Sequence, residues 1–169
     1  MHYIILDLEW NQASAKPVEL SASDPPGLRF EIIEIGAVKV DPLGNVLGEF
    51  SELIRPVVHP HLFERIREVV KITEEDLIHA RSFLEVWNDF ISWCGSDFRF
   101  CTWGSMDLTE LQRNVDFYGL ENPFPHPLLY YDIQKLYSLA FEDGKIRRAL
   151  DYAVGALALP EDGARAPTA

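Results

Sequence analysis

Three carboxylates, Asp7, Glu9 and Asp107, offer the best prospect of chemistry in this chain. Asp7 and Glu9 close the run Tyr3-Ile4-Ile5-Leu6-Asp7-Leu8-Glu9-Trp10, where apolar strand-forming residues lead into two acids spaced two apart. Side chains alternate faces along a strand, so both acids leave the same side. Like charges on one face repel and lose hydration, and nothing in folding alone favours them there. A divalent cation between them would. The other reading is an edge strand whose charges simply face water. The apolar run before the acids argues instead for a buried central strand, which makes Asp7 and Glu9 candidate metal ligands. Asp107 follows Trp103-Gly104-Ser105-Met106 and falls in the first turn of an expected helix, one turn before Leu111. An acid there either complements the helix dipole or points back to the sheet end that the chain has just left. Beside an Asp-x-Glu strand the second role gains weight. Asp132, Asp143 and Asp151 read as ordinary turn or surface acids.

The elements that must position these acids follow from periodicity. A first strand covers roughly residues 2–9. Asn11 to Gly27 is polar and rich in Pro, Ser and Ala, which predicts a long loop. Phe30 to Val40 (FEIIEIGAVKV) is a second strand, in which the odd spacing of Glu31 and Glu34 places them on opposite faces. Asp41 to Asn45 is a turn, and Val46 to Ile54 returns as a third strand, giving an antiparallel meander. Helical spacing begins after Arg55-Pro56, with Leu62, Ile66, Val69 and Val70 as a stripe. Thr73-Glu-Glu-Asp76 starts a helix, and Ser82-Phe-Leu-Glu85 is a capping box ahead of another. Phe98 to Trp103 is a short buried strand, and Gly104-Ser105 opens the helix that carries Asp107. Leu128 to Ile133 is a fifth strand, Ile133 to Phe141 a helix and Ile146 to Leu157 a last helix. Three antiparallel strands followed by alternating helices and strands predict an α/β domain with a mixed sheet.

A chain of 169 residues, 47% apolar, suffices for one domain with a substantial core. No apolar run approaches the roughly 20 residues that span a bilayer, and the N-terminus enters a strand directly, so the sequence predicts neither membrane insertion nor secretion. Cys94 and Cys101 lie among apolar neighbours, as buried thiols of a cytoplasmic protein would. The net charge of −12 excludes an extended duplex binder, which grips many phosphates with Lys and Arg. A small site acting on one chain end remains open, because bound metals supply positive charge locally.

Three segments together carry a family resemblance: Asp7-Leu8-Glu9 after an apolar strand, Glu31-Ile-Ile-Glu34-Ile-Gly-Ala-Val, and Thr102-Trp-Gly-Ser-Met-Asp107-Leu. They resemble the DEDD superfamily of 3′→5′ exonucleases, and most closely its Eri-type branch, which includes histone-mRNA exonucleases. Ile72-Thr-Glu-Glu-Asp76 and Ala80-Arg-Ser-Phe83 fall where that branch has similar segments. The resemblance covers almost the whole chain. It implies a ribonuclease H-like fold and two Mg²⁺ or Mn²⁺ ions, with Asp7 touching both, Glu9 helping to hold one and Asp107 acting on the second. It also implies that Leu8 and Trp10 cradle the terminal nucleotide, and that the partner is a single-stranded nucleic acid 3′ end, RNA ahead of DNA by branch analogy.

One family motif is missing. The last motif is His, four residues, then Asp, supplying the general base and a fourth carboxylate. No His in the C-terminal region has Asp five positions on; His126 is the last, and Tyr131 stands five after it. Arg147-Arg148-Ala149-Leu150-Asp151 has the wrong spacing. The expectation is therefore a single exonuclease domain over residues 1–169 that lacks its last helix, with Pro160 to Ala169 as the loop before it. Two functions follow: a metal-dependent 3′→5′ exonuclease, impaired in this chain, or a catalytically silent fold that binds nucleic-acid ends or a protein.

Overall fold

Apolar residues at alternate positions of the N-terminal segments fold them into the expected antiparallel meander. In the computed structural model, which describes residues 1–12, 28–124 and 128–159, β1 (His2–Gln12), β2 (Phe30–Val40) and β3 (Val46–Leu53) pair in that order. β4 (Phe98–Thr102) then adds to the free side of β1 in parallel, and β5 (Tyr130–Asp132) adds to β4 in parallel. The sheet order is β3-β2-β1-β4-β5, so β1 is central and the sheet mixed. Residues 13–27 of the expected loop, and Pro160 to Ala169, lie outside the described residues.

Five short to medium helices precede and follow β4: α1 (Glu64–Val69), α2 (Glu74–Ile78), α3 (Phe83–Cys94), α4 (Met106–Phe117) and α5 (Ile133–Phe141), with α6 (Leu150–Ala156) last. Both sequence-predicted capping motifs form. Thr73 and Asp76 bond each other's backbone N–H at the start of α2, and Ser82 and Glu85 do so at the start of α3. The last helix begins four residues later than its apolar pattern suggests. Asp143 accepts from the N–H groups of Lys145 and Ile146 in a turn, and the Arg148 carbonyl accepts from the Trp103 indole and the Gln134 amide. Those bonds hold 145–149 out of the helix.

Ile4, Leu6 and Leu8 of β1 and Ile32, Ile35 and Ala37 of β2 face α3 and α4, against Phe83, Val86, Trp87, Phe90, Phe100 and Leu111. A smaller cluster joins Ile33 to Leu62, Val70, Ile72 and Leu77. Cys94 and Cys101 are both buried and unpaired, and burial pushes the Cys94 thiol up to about 12.

One expected feature of β2 is overturned. Glu34 lies opposite Glu9 and Glu31 lies opposite Asn11, and Glu9 and Asn11 share one side of β1. Glu31 and Glu34 therefore face the same way. The pairing slips by one residue between Glu9 and Trp10, leaving Ile33 as the extra residue of a bulge. A bulge reverses the parity on which the spacing argument rested.

Candidate active site

The side of β1 away from α3 carries Asp7, Glu9 and Asn11 in succession. Asp7 is exposed and Glu9 half-buried, while the intervening Leu8 is 4% exposed and belongs to the core. β4 pairs with β1 only as far as Ile5, opposite Cys101. Beyond that point the β1 edge needs another partner, because a buried N–H left unpaired is costly. Asp107 supplies it. The chain leaves β4, turns at Gly104 (φ +95°) and enters α4, whose first turn lodges the Asp107 side chain so that its Oδ1 accepts from the Leu8 N–H at 3.2 Å. A left-handed backbone at Gly104 would strain any other residue.

Asp107 is only 7% exposed. Burial, and then the nearby negative charge of Asp7, push its carboxyl up to about 6 despite the Leu8 N–H bond. Glu34 is likewise raised, by burial first, then by Asp7, against a hydrogen bond from Ser51 Oγ at 3.1 Å. Asp7 is thus electrostatically coupled to both Asp107 and Glu34, and Glu34 stands directly across from Glu9. Sequence reasoning quoted Glu34 in a motif but gave it no site role. Its closeness to the acids becomes visible only once the β1–β2 register is known.

Leu8 and Trp10, assigned by resemblance to cradling a nucleotide, point to the core side. Leu8 presents only its backbone to the acids. Trp10 is half-buried and meets Phe30 edge-on, ring centroids 5.9 Å apart. Asp132 caps α5, accepting from Lys135 N–H, and pairs with Arg147 at 2.8 Å, while Asp143 makes a turn, both as ordinary structural acids do.

Among the described residues, no three of His, Cys, Asp and Glu converge into a ready-made metal cage. The donor set nonetheless fits a hard divalent cation. It is all carboxylate oxygen, which suits Mg²⁺ or Mn²⁺ ahead of softer metals. Mg²⁺ is commonly held by one or two carboxylates, waters and substrate phosphates rather than by a closed protein shell. The Asp107 carboxyl, raised by burial and by the nearby Asp7, is also one that a cation would relieve.

Comparisons with known proteins bear on the family and the fold. The RNase_T family model, described as Exonuclease, matches residues 4–162. The probable 3′-5′ exonuclease KapD of Bacillus subtilis (strain 168) is 30% identical over 127 residues, which cover 72% of this chain and 56% of that protein. The chain therefore spans little more than half the length of that curated relative. Among solved structures, the nuclease domain of 3′hExo, a DEDDh family member bound to rAMP, superposes with a TM-score of 0.73 at 20% identity. The match covers 96% of this chain and 81% of that one. The 3′-exonuclease in a complex described as 3′-end specific recognition of histone mRNA stem-loop gives 0.73 at 20% identity, covering 96% and 72%. These two likenesses establish a shared fold. With the family model spanning nearly all of the chain, the protein belongs to the RNase_T exonuclease family.

Proposed function

We propose that this chain is a metal-dependent 3′→5′ exonuclease domain that acts on single-stranded nucleic-acid ends, RNA ahead of DNA. The observation that carries the reading is the lodging of Asp107 against the β1 edge, where its carboxyl lies within the electrostatic reach of Asp7. Strand alternation adds Glu9 on the side of Asp7. Family membership supports exonuclease chemistry, and the rAMP and histone mRNA complexes of structural relatives support RNA.

In this reading Asp7, Glu9 and Asp107 would be the residues that hold the divalent cations. When bound, such ions lower the pKa of an attacking water and neutralise charge that develops on the phosphate. The protein's own share is positional. The Leu8 N–H holds Asp107 in place, the Leu8 backbone flanks the terminal nucleotide, and the buried core beneath β1 keeps the acids at fixed spacing.

Residues 1–169 contain no His-x4-Asp in their C-terminal region, where the family motif carries its general base. General-base assistance commonly contributes about 10²–10⁴-fold. The second reading is a silent module that binds nucleic-acid ends or a protein. A 5′-labelled single-stranded RNA resolved on a sequencing gel tests both. Residues 1–169 should trim it poorly in Mg²⁺. A version extended through the genomic reading frame should trim from the 3′ end, lose activity with EDTA and lose it again on Asp7→Ala. Robust EDTA-sensitive trimming by the 169 residues would show that the base lies elsewhere. No trimming of RNA or DNA by the extended version would favour the silent module.

A further inference from the structure

Past Glu9 the acidic side of β1 runs into a second polar cluster that the proposed chemistry does not use. Asn11, two residues on from Glu9, is fully buried. Its side-chain NH₂ donates to the carbonyls of His59 and His61, both at 2.9 Å, and its Oδ1 accepts from the Phe63 N–H at 3.1 Å. Across the strand pair, Glu31 is 1% exposed. It accepts from the N–H groups of Val57 (2.7 Å), Val58 (2.9 Å) and His59 (2.6 Å), and from the Tyr118 hydroxyl (2.9 Å). A buried carboxylate is costly unless hydrogen bonds replace its hydration, and here four donors do so.

All but one of the groups bonded to this pair belong to residues 57–63, a strap between β3 and α1 that lies in neither helix nor strand. Such a segment has no ladder of its own to hold it. Two side chains from the acidic side of the sheet hold its first part and its end, while Leu62 packs with Ile33 and bonds Glu74 through its N–H. Two residues along a strand is about 7 Å, so the strap stands immediately beside Glu9, and α1 continues against β1. The strap itself holds no Lys or Arg, but the residues that flank it are locally basic in a chain of net charge −12, although Arg67 is paired with Glu74. Residues 55–71 carry Arg55, Arg65, Arg67 and Lys71 against Glu64 and Glu68, and the His61 side chain is 84% exposed.

We propose that Glu31 and Asn11 are positioning residues that clamp residues 57–63 beside Glu9 as a wall against which the terminal nucleotides of a single-stranded nucleic acid lie. The proposal rests on the exonuclease reading of the acids. Its chemistry depends on the carboxylate: Glu31 accepts only, whereas Gln would turn an NH₂ toward backbone N–H groups and leave some of them unbonded.

Three measurements on the wild type, Glu31→Gln, Glu31→Asp and Tyr118→Phe test it. Hydrogen exchange should lose protection at 57–59 in Glu31→Gln and lose less in Tyr118→Phe, with β1 and β2 unaffected. Affinity for a 5′-fluorescent single-stranded oligouridylate in Ca²⁺ should weaken in Glu31→Gln by roughly tenfold, up to about 10²-fold, the scale expected when a positioning element shifts. Glu31→Asp should restore part of it. Mn²⁺ affinity, by calorimetry, should stay as in wild type, which separates loss of the wall from general unfolding. Unchanged protection at 57–59 would overturn the clamp. Lost protection with unchanged oligonucleotide affinity would overturn the wall while leaving the exonuclease reading intact. Tyr118→Phe keeps this falsifiable if Glu31→Gln fails to fold. A wild type that binds Mn²⁺ but no oligonucleotide would sink the exonuclease reading, and the wall with it.

Discussion

The two sides of β1 are built for different work, although they alternate residue by residue. Ile4, Leu6 and Leu8 are at most 4% exposed and sit under a dense aromatic layer. In that layer Phe90 and Phe100 stack at 6.2 Å, and Phe124 meets Phe100 edge-on at 5.1 Å. On the other side Tyr3 and Ile5 line a hollow of about 480 Å³ with Val40, Cys101, Tyr131 and Ile133, and Ile5 is 47% exposed. Asp7 and Glu9 continue from that apolar floor. The closed side supplies rigidity, and the open side uses it to keep repelling carboxylates together. Such local conflict is typical of functional sites and persists because the rest of the fold over-determines it.

The largest test of the contrast is truncation on each side. Phe100 is 1% exposed, and Phe100→Ala should cost about 3–5 kcal/mol in urea unfolding, since it removes a buried ring and leaves a cavity. Ile5→Ala, half in solvent, should cost about 1 kcal/mol or less. Equal costs would mean that the floor is covered in solution and that the two sides do not differ as described.

Much of this division was legible in the sequence. Alternation at Ile4, Leu6 and Leu8 against Asp7 and Glu9 defined both sides of β1, and the two capping boxes located α2 and α3. The Asp-x-Glu spacing and the first-turn place of Asp107 named the acids that the fold brings to one strand edge. What stayed hidden depends on register. The bulge at Ile33 has no local signature, so the parity of Glu31 was misjudged, and Glu34 could not be placed across from Glu9. Asn11 looked like the first residue of a loop because its three partners lie about 50 positions away. Glu110 and Asn114, both buried on α4, have no local sequence signature that singles them out. Asn114 in fact accepts from the Ile32 N–H and donates to the Phe30 carbonyl, tying α4 to β2.

A smaller but sharper difference concerns protons. With its carboxyl at about 6, folded Asp107 still holds a proton at a pH where the unfolded chain, near the ordinary carboxylate value of about 3.9, has released it. The folded state binds the extra proton. This contribution to stability is therefore fully present below about pH 4 and is lost as pH rises through about 6, amounting to at most about 3 kcal/mol. Asp107→Asn should flatten that part of the stability profile and should be more stable than wild type at pH 7. Mn²⁺ competes with the same proton, so its affinity for wild type should rise through about pH 6. A profile for Asp107→Asn that parallels wild type between pH 4 and 7 would show that burial at the β1 edge does not perturb this acid.

Asp7→Asn should have the smallest effect on stability and a decisive one on metal. Asp7 adds negative charge beside both Asp107 and Glu34, and its own side chain is exposed, so the neutral amide relieves repulsion without opening a cavity. Melting should stay unchanged or improve by up to about 1 kcal/mol, as is common when a functional residue is neutralised. The Asp107 carboxyl should move down in the variant while staying above the ordinary range, because burial is the larger cause of its shift and Asp7 the smaller. An NMR titration of the Asp107 carboxyl reads that movement directly. Calorimetric titration of Mn²⁺ reads the other half: binding to wild type should disappear in Asp7→Asn. Equal Mn²⁺ binding by the two proteins would remove Asp7 from the metal site. Marked destabilisation would mean that the contacts Asp7 makes outweigh the repulsion, and that the open side of β1 contributes to the fold as well as to the chemistry.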